Sequence, residues 1–276
     1  MARIGMVNYI NTAPIYAIWK AQVHQPDWLV TEAPPVRLNR LLAAGALDLG
    51  FASAYEYAAR PKLYRLLADL SISATGPVGS VFLFSSVPPE QLDGKLVLLT
   101  GQSDTSAHLL KLMLEEFLWV KPQYIRGEVF AARAPSEEPA AMLAIGDEAL
   151  RLAARKGGRY PIRIDLGEYW HRQTGLPFVF AVCAVREDFL HNNLVAAQAI
   201  HKTLLNCRRQ GLARLPEICA ATAPCIPMSE EACLQYFQSI EYDLGPAKQQ
   251  ALTKFFELLI RRGEADPAAL PLKLFP

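Results

Sequence analysis

The loops of this chain best placed for chemistry are filled with Ser, Thr, Asn and Gly rather than with His, Lys or Cys. Five stand out: Asn8–Thr12, Ser53, Ser71–Ser80, Thr100–Ser106 and the pair Gly146-Asp147. Tyr9 is their bulky exception, and Asp104 and Asp147 are their carboxylates. Hydroxyls, amides and backbone N–H groups suit an oxygen-rich anion. A strong protein base of the usual kind is disfavoured in such surroundings. The turn Thr100-Gly-Gln-Ser103-Asp-Thr105-Ser106 opens a predicted helix, so free N–H groups and the positive dipole end converge there; Ser103 is equally an ordinary N-cap. Asp147 also stands at a helix start, where it either caps or touches a ligand. Asn11, taken alone, reads as an Asx-turn residue introducing Pro14.

Strands and helices must position these loops. Short apolar runs predict strands at 3–7, 47–52, 63–70, 80–85, 95–100, 142–145, 162–166 and 178–185, with a small-residue loop over 71–79. Helices are predicted at 14–21, at 36–44 ended by Gly45, at 103–117 and at 147–156, with a short one over 168–174. Beyond residue 189 the pattern is helical: 190–211, 212–221, 229–239 and 246–262. The stretch 126–139 has no clear period. This alternation predicts two α/β lobes, one built from residues 1–86 plus 185–276 and the other from the inserted residues 87–184. The crossings are expected near Pro88-Pro89 and Val185-Arg186, with a ligand cleft between the lobes. In open α/β sheets ligands lie outside the carboxyl ends of strands, which is where the five loops fall.

Bulk composition narrows the function classes. With 276 residues, 51% of them hydrophobic and 20% charged, the chain can bury sizeable cores. Its 28 Lys+Arg against 27 Asp+Glu give +1, with no basic tail or stripe for a nucleic acid. The cluster Arg151, Arg155, Lys156 and Arg159 reads as a solvated helix end. The longest apolar stretch, Phe178–Val185, is far too short to span a bilayer, and the first residues lack a signal-peptide pattern. A cytosolic protein with no membrane partner is expected. Five cysteines without CxxC spacing read as buried hydrophobes, and scattered histidines offer no metal site.

Six blocks in order carry a family resemblance: Val7-Asn-Tyr9-Ile-Asn11-Thr-Ala-Pro14; Gly45-x-Leu47-Asp48 with Ser53-x-x-Glu56-Tyr57; Gly76-Pro-Val-x-Ser80-Val with Phe84-Ser; Leu99-Thr100-x-x-Ser103-x-Thr105-Ser106; Ile145-Gly-Asp147-Glu-Ala-Leu150; and Asp165-Leu-Gly-Glu168-x-Trp170 with Thr174-Gly-Leu-Pro-Phe178-Val-Phe180-Ala. Together they resemble the chorismate dehydratase family of the futalosine route to menaquinone. The resemblance implies a type II periplasmic-binding-protein fold used as a cofactor-independent lyase, with chorismate as substrate and 3-[(1-carboxyvinyl)oxy]benzoate plus water as products. It implies that Asn11 matches the catalytic asparagine and that Ser80, Ser103, Thr105 and Ser106 match carboxylate-binding loops. Tyr9, Ser53, Gly146 and Asp147 are further candidate substrate contacts. The last third matches only as a helical pattern. Two other readings stay open: the sister dihydroxynaphthoate synthase of the same pathway, and a non-catalytic receptor for an aromatic carboxylate.

Overall fold

The computed structural model describes residues 1–128, 138–155 and 157–276. Lys156 of the basic cluster and most of the aperiodic stretch 126–139 lie outside the described residues. Eleven described strands run along the chain: β1 (Ala2–Val7), β2 (Trp28–Ala33), β3 (Leu49–Ser53), β4 (Tyr64–Ala74), β5 (Val81–Ser85), β6 (Leu96–Thr100), β7 (Gln123–Gly127), β8 (Ala141–Ile145), β9 (Ile162–Asp165), β10 (Phe178–Arg186) and β11 (Leu274–Phe275). They form a six-stranded sheet in the order β11-β4-β10-β3-β1-β2 and a five-stranded sheet in the order β7-β6-β8-β5-β9. In the first sheet β1 pairs parallel with β2 and β3, and the helices Ala13–Gln22 and Pro35–Ala43 make the crossovers that parallel pairing requires. β10 then runs antiparallel between β3 and β4.

The strand pairings correct the lobe boundaries expected at 86/87 and 184/185. Val81–Ser85 pairs with β8 and β9, so it belongs to the second sheet, and Phe178–Arg186 belongs to the first. The crossings are therefore residues 75–80 and 166–177, while Pro88 and Pro89 sit in a 3-10 turn of the second lobe. Both strands are continuous apolar runs that suit the middle of either sheet, and such a run does not name its partner. Three edge strands, β2, β7 and β11, escaped the sequence reading: β2 and β7 mix exposed and half-buried positions, and β11 is only two residues long. Ser71 and Ser73 extend β4 instead of opening a loop; their buried hydroxyls bond the carbonyls of Asp243 and Glu241. The predicted helix 103–117 splits into an α-helix, Asp104–Lys111, and a wider π-helical turn, Leu112–Phe117. The predicted helix 190–211 begins within Glu187–Asn192 and restarts as Leu194–Leu212.

Two features hold the lobes in register. Asp165 joins both crossings: Oδ1 accepts the N–H groups of Val78, Gly167 and Glu168 (3.1, 2.9 and 3.1 Å) and Oδ2 that of Gly79 (2.7 Å). Trp170, fully buried on the second crossing, packs its ring against Phe178 of β10 (5.2 Å between centroids) and Phe255 of the helix Pro246–Arg261 (6.2 Å). At the other end, Gly211 lies so close to the helix following the Asn8–Thr12 loop that a Cβ would stand 1.5 Å from the Pro14 carbonyl oxygen. Glycine is needed there for close approach rather than for stopping a helix.

Candidate functional site

A small cavity lies between the two sheets, and seven of the nine sequence-predicted site residues line it: Tyr9, Asn11, Ser53, Ser80, Ser103, Ser106 and Gly146. Its apolar walls come from Val7, Ile72, Val78, Val81, Ile145 and Phe180. The polar residues stand at the end of a strand, just after one, at a helix start or, for Ser80, just before β5, where backbone donors are left over from regular structure. Among the described residues that line the cavity there is no Lys, Arg, His, Cys or carboxylate. No group of three or more His, Cys, Asp or Glu is placed to hold a metal ion among the described residues.

The serines are oriented by what they accept. Ser80 Oγ accepts the phenol proton of Tyr236 (3.0 Å), a fully buried contact. Ser53 Oγ accepts from Asn39 Nδ2 (2.8 Å) and from the Glu56 N–H (3.4 Å), capping the helix Ala54–Ala59. Ser103 Oγ accepts the Ser106 N–H (3.2 Å) and donates to Ser106 Oγ (3.1 Å). A hydroxyl has one proton and two lone pairs. Occupied on its acceptor side, each of Ser53, Ser80 and Ser106 keeps a proton to give to a ligand. Ser103 is thus both the predicted N-cap and part of the anion turn, and the donor it releases is on Ser106.

Asn11 sits in the 3-10 turn Ile10–Thr12, with its backbone carbonyl accepting the Tyr242 phenol proton (2.8 Å). Its side-chain oxygen is buried with no hydrogen-bond partner among the described residues. An unmet polar atom of this kind costs about 1–3 kcal/mol unless a ligand satisfies it.

Thr105 and Asp147 are used differently from the other candidates. Thr105 is fully buried and does not line the cavity; its Oγ1 accepts the Tyr55 N–H (2.9 Å), so second-lobe hydroxyl meets first-lobe helix. Asp147 Oδ1 accepts the Ile10 N–H (3.1 Å), again across the lobes. Burial raises the Asp147 carboxyl above its usual value, against the opposing pull of the Ile10 amide and Arg151. The Tyr9 phenol donates to Gln102 Oε1 and is itself pushed well above the usual phenol range by burial, then by the nearby Asp147 and Glu148 charges. Tyr236 is raised by burial as well, so both phenols stay protonated donors at neutral pH.

Sequence reasoning missed Asn39, Gln102, Tyr236 and Tyr242. Asn39 had a signal: it lies on the buried stripe Leu38, Asn39, Leu42 of its helix, and a polar residue on an apolar face needs a partner. The tyrosines had none, since both arrive from the C-terminal third.

Comparison with known proteins extends this picture. The menaquinone-biosynthesis family matches residues 2–261. Chorismate dehydratase of Thermus thermophilus is 31% identical over 269 residues, covering 93% of this chain and 94% of that protein. The 1,4-dihydroxy-6-naphtoate synthase of the same organism is 26% identical over 269 residues, covering 95% and 94%. Among solved structures, the alkanesulfonate-binding protein SsuA of Xanthomonas axonopodis pv. citri, bound to MOPS, superposes with a TM-score of 0.69 at 14% identity, covering 99% of this chain and 97% of that one. The fold resembles the type II periplasmic-binding-protein fold, as the sequence blocks implied.

Proposed function

The chain belongs to the menaquinone-biosynthesis family, and from that premise we propose that it dehydrates chorismate to 3-[(1-carboxyvinyl)oxy]benzoate. The observation that carries this reading is the set of serine hydroxyls at Ser53, Ser80 and Ser106, each occupied as an acceptor and left as a donor, facing a cavity with apolar walls. Neutral donors of this kind hold carboxylates, each charge-assisted bond contributing about 1.5–3 kcal/mol, and the apolar walls take the ring. Both relatives match nearly all of both chains, and the higher identity of the dehydratase, 31% against 26%, supports this reading ahead of the synthase.

In the reaction, a carboxylate of the substrate takes the ring proton beside the enolpyruvyl ether. The C–H electron pair becomes the new ring double bond and the neighbouring C–O bond breaks. The same proton then passes to the departing hydroxyl, which leaves as water and restores the carboxylate. Asn11 holds the hydroxyl or the enolpyruvyl group in place while this happens. Aromatisation supplies the driving force, so the protein contributes mainly geometry. Operation in the cytosol and without a cofactor belongs to the same proposal.

Incubating the purified protein with chorismate and identifying the product by mass spectrometry and NMR tests it. The expected product is the enolpyruvyl benzoate. Untouched chorismate together with conversion of the cyclic futalosine derivative would make the protein the naphthoate synthase, and tight binding of chorismate without product would make it a receptor.

A further inference from the structure

Asn11 is held by neighbours that come from three distant parts of the chain. Tyr242, in the first lobe, donates to its backbone carbonyl (2.8 Å). The loop is also tied within the first lobe, by the Asn8 N–H to the Ala33 carbonyl and by the Thr12 hydroxyl to that of Val7, and further contacts come from the second lobe. Tyr9 bonds Gln102, and its ring lies on Gly146, where a Cβ would stand 2.7 Å from Tyr9 Cδ2. Gly146 has φ +56, a conformation that also favours glycine. Next to it, Asp147 Oδ1 accepts the N–H of Ile10, the residue before Asn11 (3.1 Å).

Gly146 is a wall of the cavity, whereas Asp147 is not. A carboxylate aimed into a cavity of anion donors would repel the ligand those donors hold. Aimed at Ile10, it meets a backbone donor at the start of the 3-10 turn that carries Asn11. We propose that Asp147 is a positioning residue: through the Ile10 amide, the closed second lobe sets the orientation of Asn11. Lobe closure and assembly of the catalytic amide are then one event. Without this bond the turn keeps its first-lobe anchors at Tyr242 and Val7 and the Tyr9–Gln102 bond, but loses the second lobe's bond to the backbone next to Asn11.

The activity arm of the test rests on the dehydratase reading; the spectroscopic arm does not. Asp147→Asn keeps an acceptor at the Oδ1 position, and Asp147→Ala removes it. In chorismate turnover, Asp147→Ala should lower kcat by roughly 10- to 100-fold, as expected for a misplaced reacting group, with KM changed by less than about threefold. Asp147→Asn should restore most of kcat. In the ligand-free protein labelled with 15N, the side-chain amide signal of Asn11 should move in Asp147→Ala and return in Asp147→Asn. Should Asp147→Ala fail to fold, Asp147→Ser, one bond too short to reach Ile10, takes its place. An unmoved Asn11 signal, or a kcat equal to the parent's, overturns the inference. So does an Asn variant as impaired as the Ala variant, because charge rather than the acceptor would then be what matters. If the parent itself leaves chorismate untouched, the functional reading fails and the Asn11 signal alone decides the positioning role.

Discussion

Tyr236→Phe paired with Ser80→Ala separates a hydroxyl that binds ligand from one that only holds another in place. Tyr236 and Ser80 are both buried and 3.0 Å apart, with the phenol donating. Ser80→Ala removes the whole ligand contact, about 1.5–3 kcal/mol for a bond to a carboxylate, or about 10- to 160-fold in affinity. Tyr236→Phe leaves that contact and removes only its support. Polarisation along a hydrogen-bond chain strengthens each bond by about 10–30%, which on the same contact is about 0.2–0.9 kcal/mol, or about 1.4- to 5-fold. The stability order should be the same. Tyr236→Phe loses a neutral buried hydrogen bond, about 0.5–1.5 kcal/mol, and lowers Tm by a few degrees in a chain of this size; Ser80→Ala strands the buried phenol donor, about 1–3 kcal/mol, so its cost is larger. Calorimetric titration with chorismate, together with thermal melting of the three proteins, reads both orders. Equal affinities for the parent and Ser80→Ala would refute the donor role of Ser80, and an affinity loss in Tyr236→Phe as large as in Ser80→Ala would refute the division of labour.

Asn11→Asp should abolish turnover with little change in melting, because it places a like charge near a dicarboxylate, about 4 kcal/mol at 4 Å in partly screened surroundings; Asn11→Ala should lower turnover yet bind chorismate better than the Asp variant, and near-parent rates in both would make Asn11 a turn residue only. Asp165→Ala should cost about 3–5 kcal/mol in urea unfolding, because four backbone donors lose one carboxylate; a loss of only ~0.5–2 kcal/mol, the range for an N-cap alone, would show that the bonds to Val78 and Gly79 contribute nothing. The raised carboxyl of Asp147 makes a pH prediction. Its folded value lies above its unfolded one, so folding takes up a proton between the two, and its contribution to stability falls as pH rises through that window and is constant above it. Melting curves from acid to neutral pH should therefore show Asp147→Asn gaining on the parent as pH rises, and parallel curves would refute the burial argument.

The two-lobed α/β architecture was legible in the residues because apolar period and turn chemistry are local: β1, β3, β6 and β8 and the helix starts at Pro14, Ser103 and Ser229 all follow from a few neighbouring side chains. So were the cavity's loops, since Ser, Asn and Gly after strands mark where backbone donors are free. Side-chain partners were not legible. Val81–Ser85 and Phe178–Arg186 are both largely buried apolar runs, and only pairing with β8 or with β3 assigns each to its sheet. Asp147 looks like a cap until the fold brings Ile10, 137 positions away, against it. Ser80 and Asn11 meet Tyr236 and Tyr242 across 156 and 231 positions. Nothing local marks those two tyrosines, one on the helix Glu230–Ser239 and one in the segment after it, because a local pattern records whether a side chain is buried and not what it is buried against. Chain closure over such distances is a property of the packed core as a whole, so whether a hydroxyl or carboxylate faces ligand, backbone or the opposite lobe was decided only there.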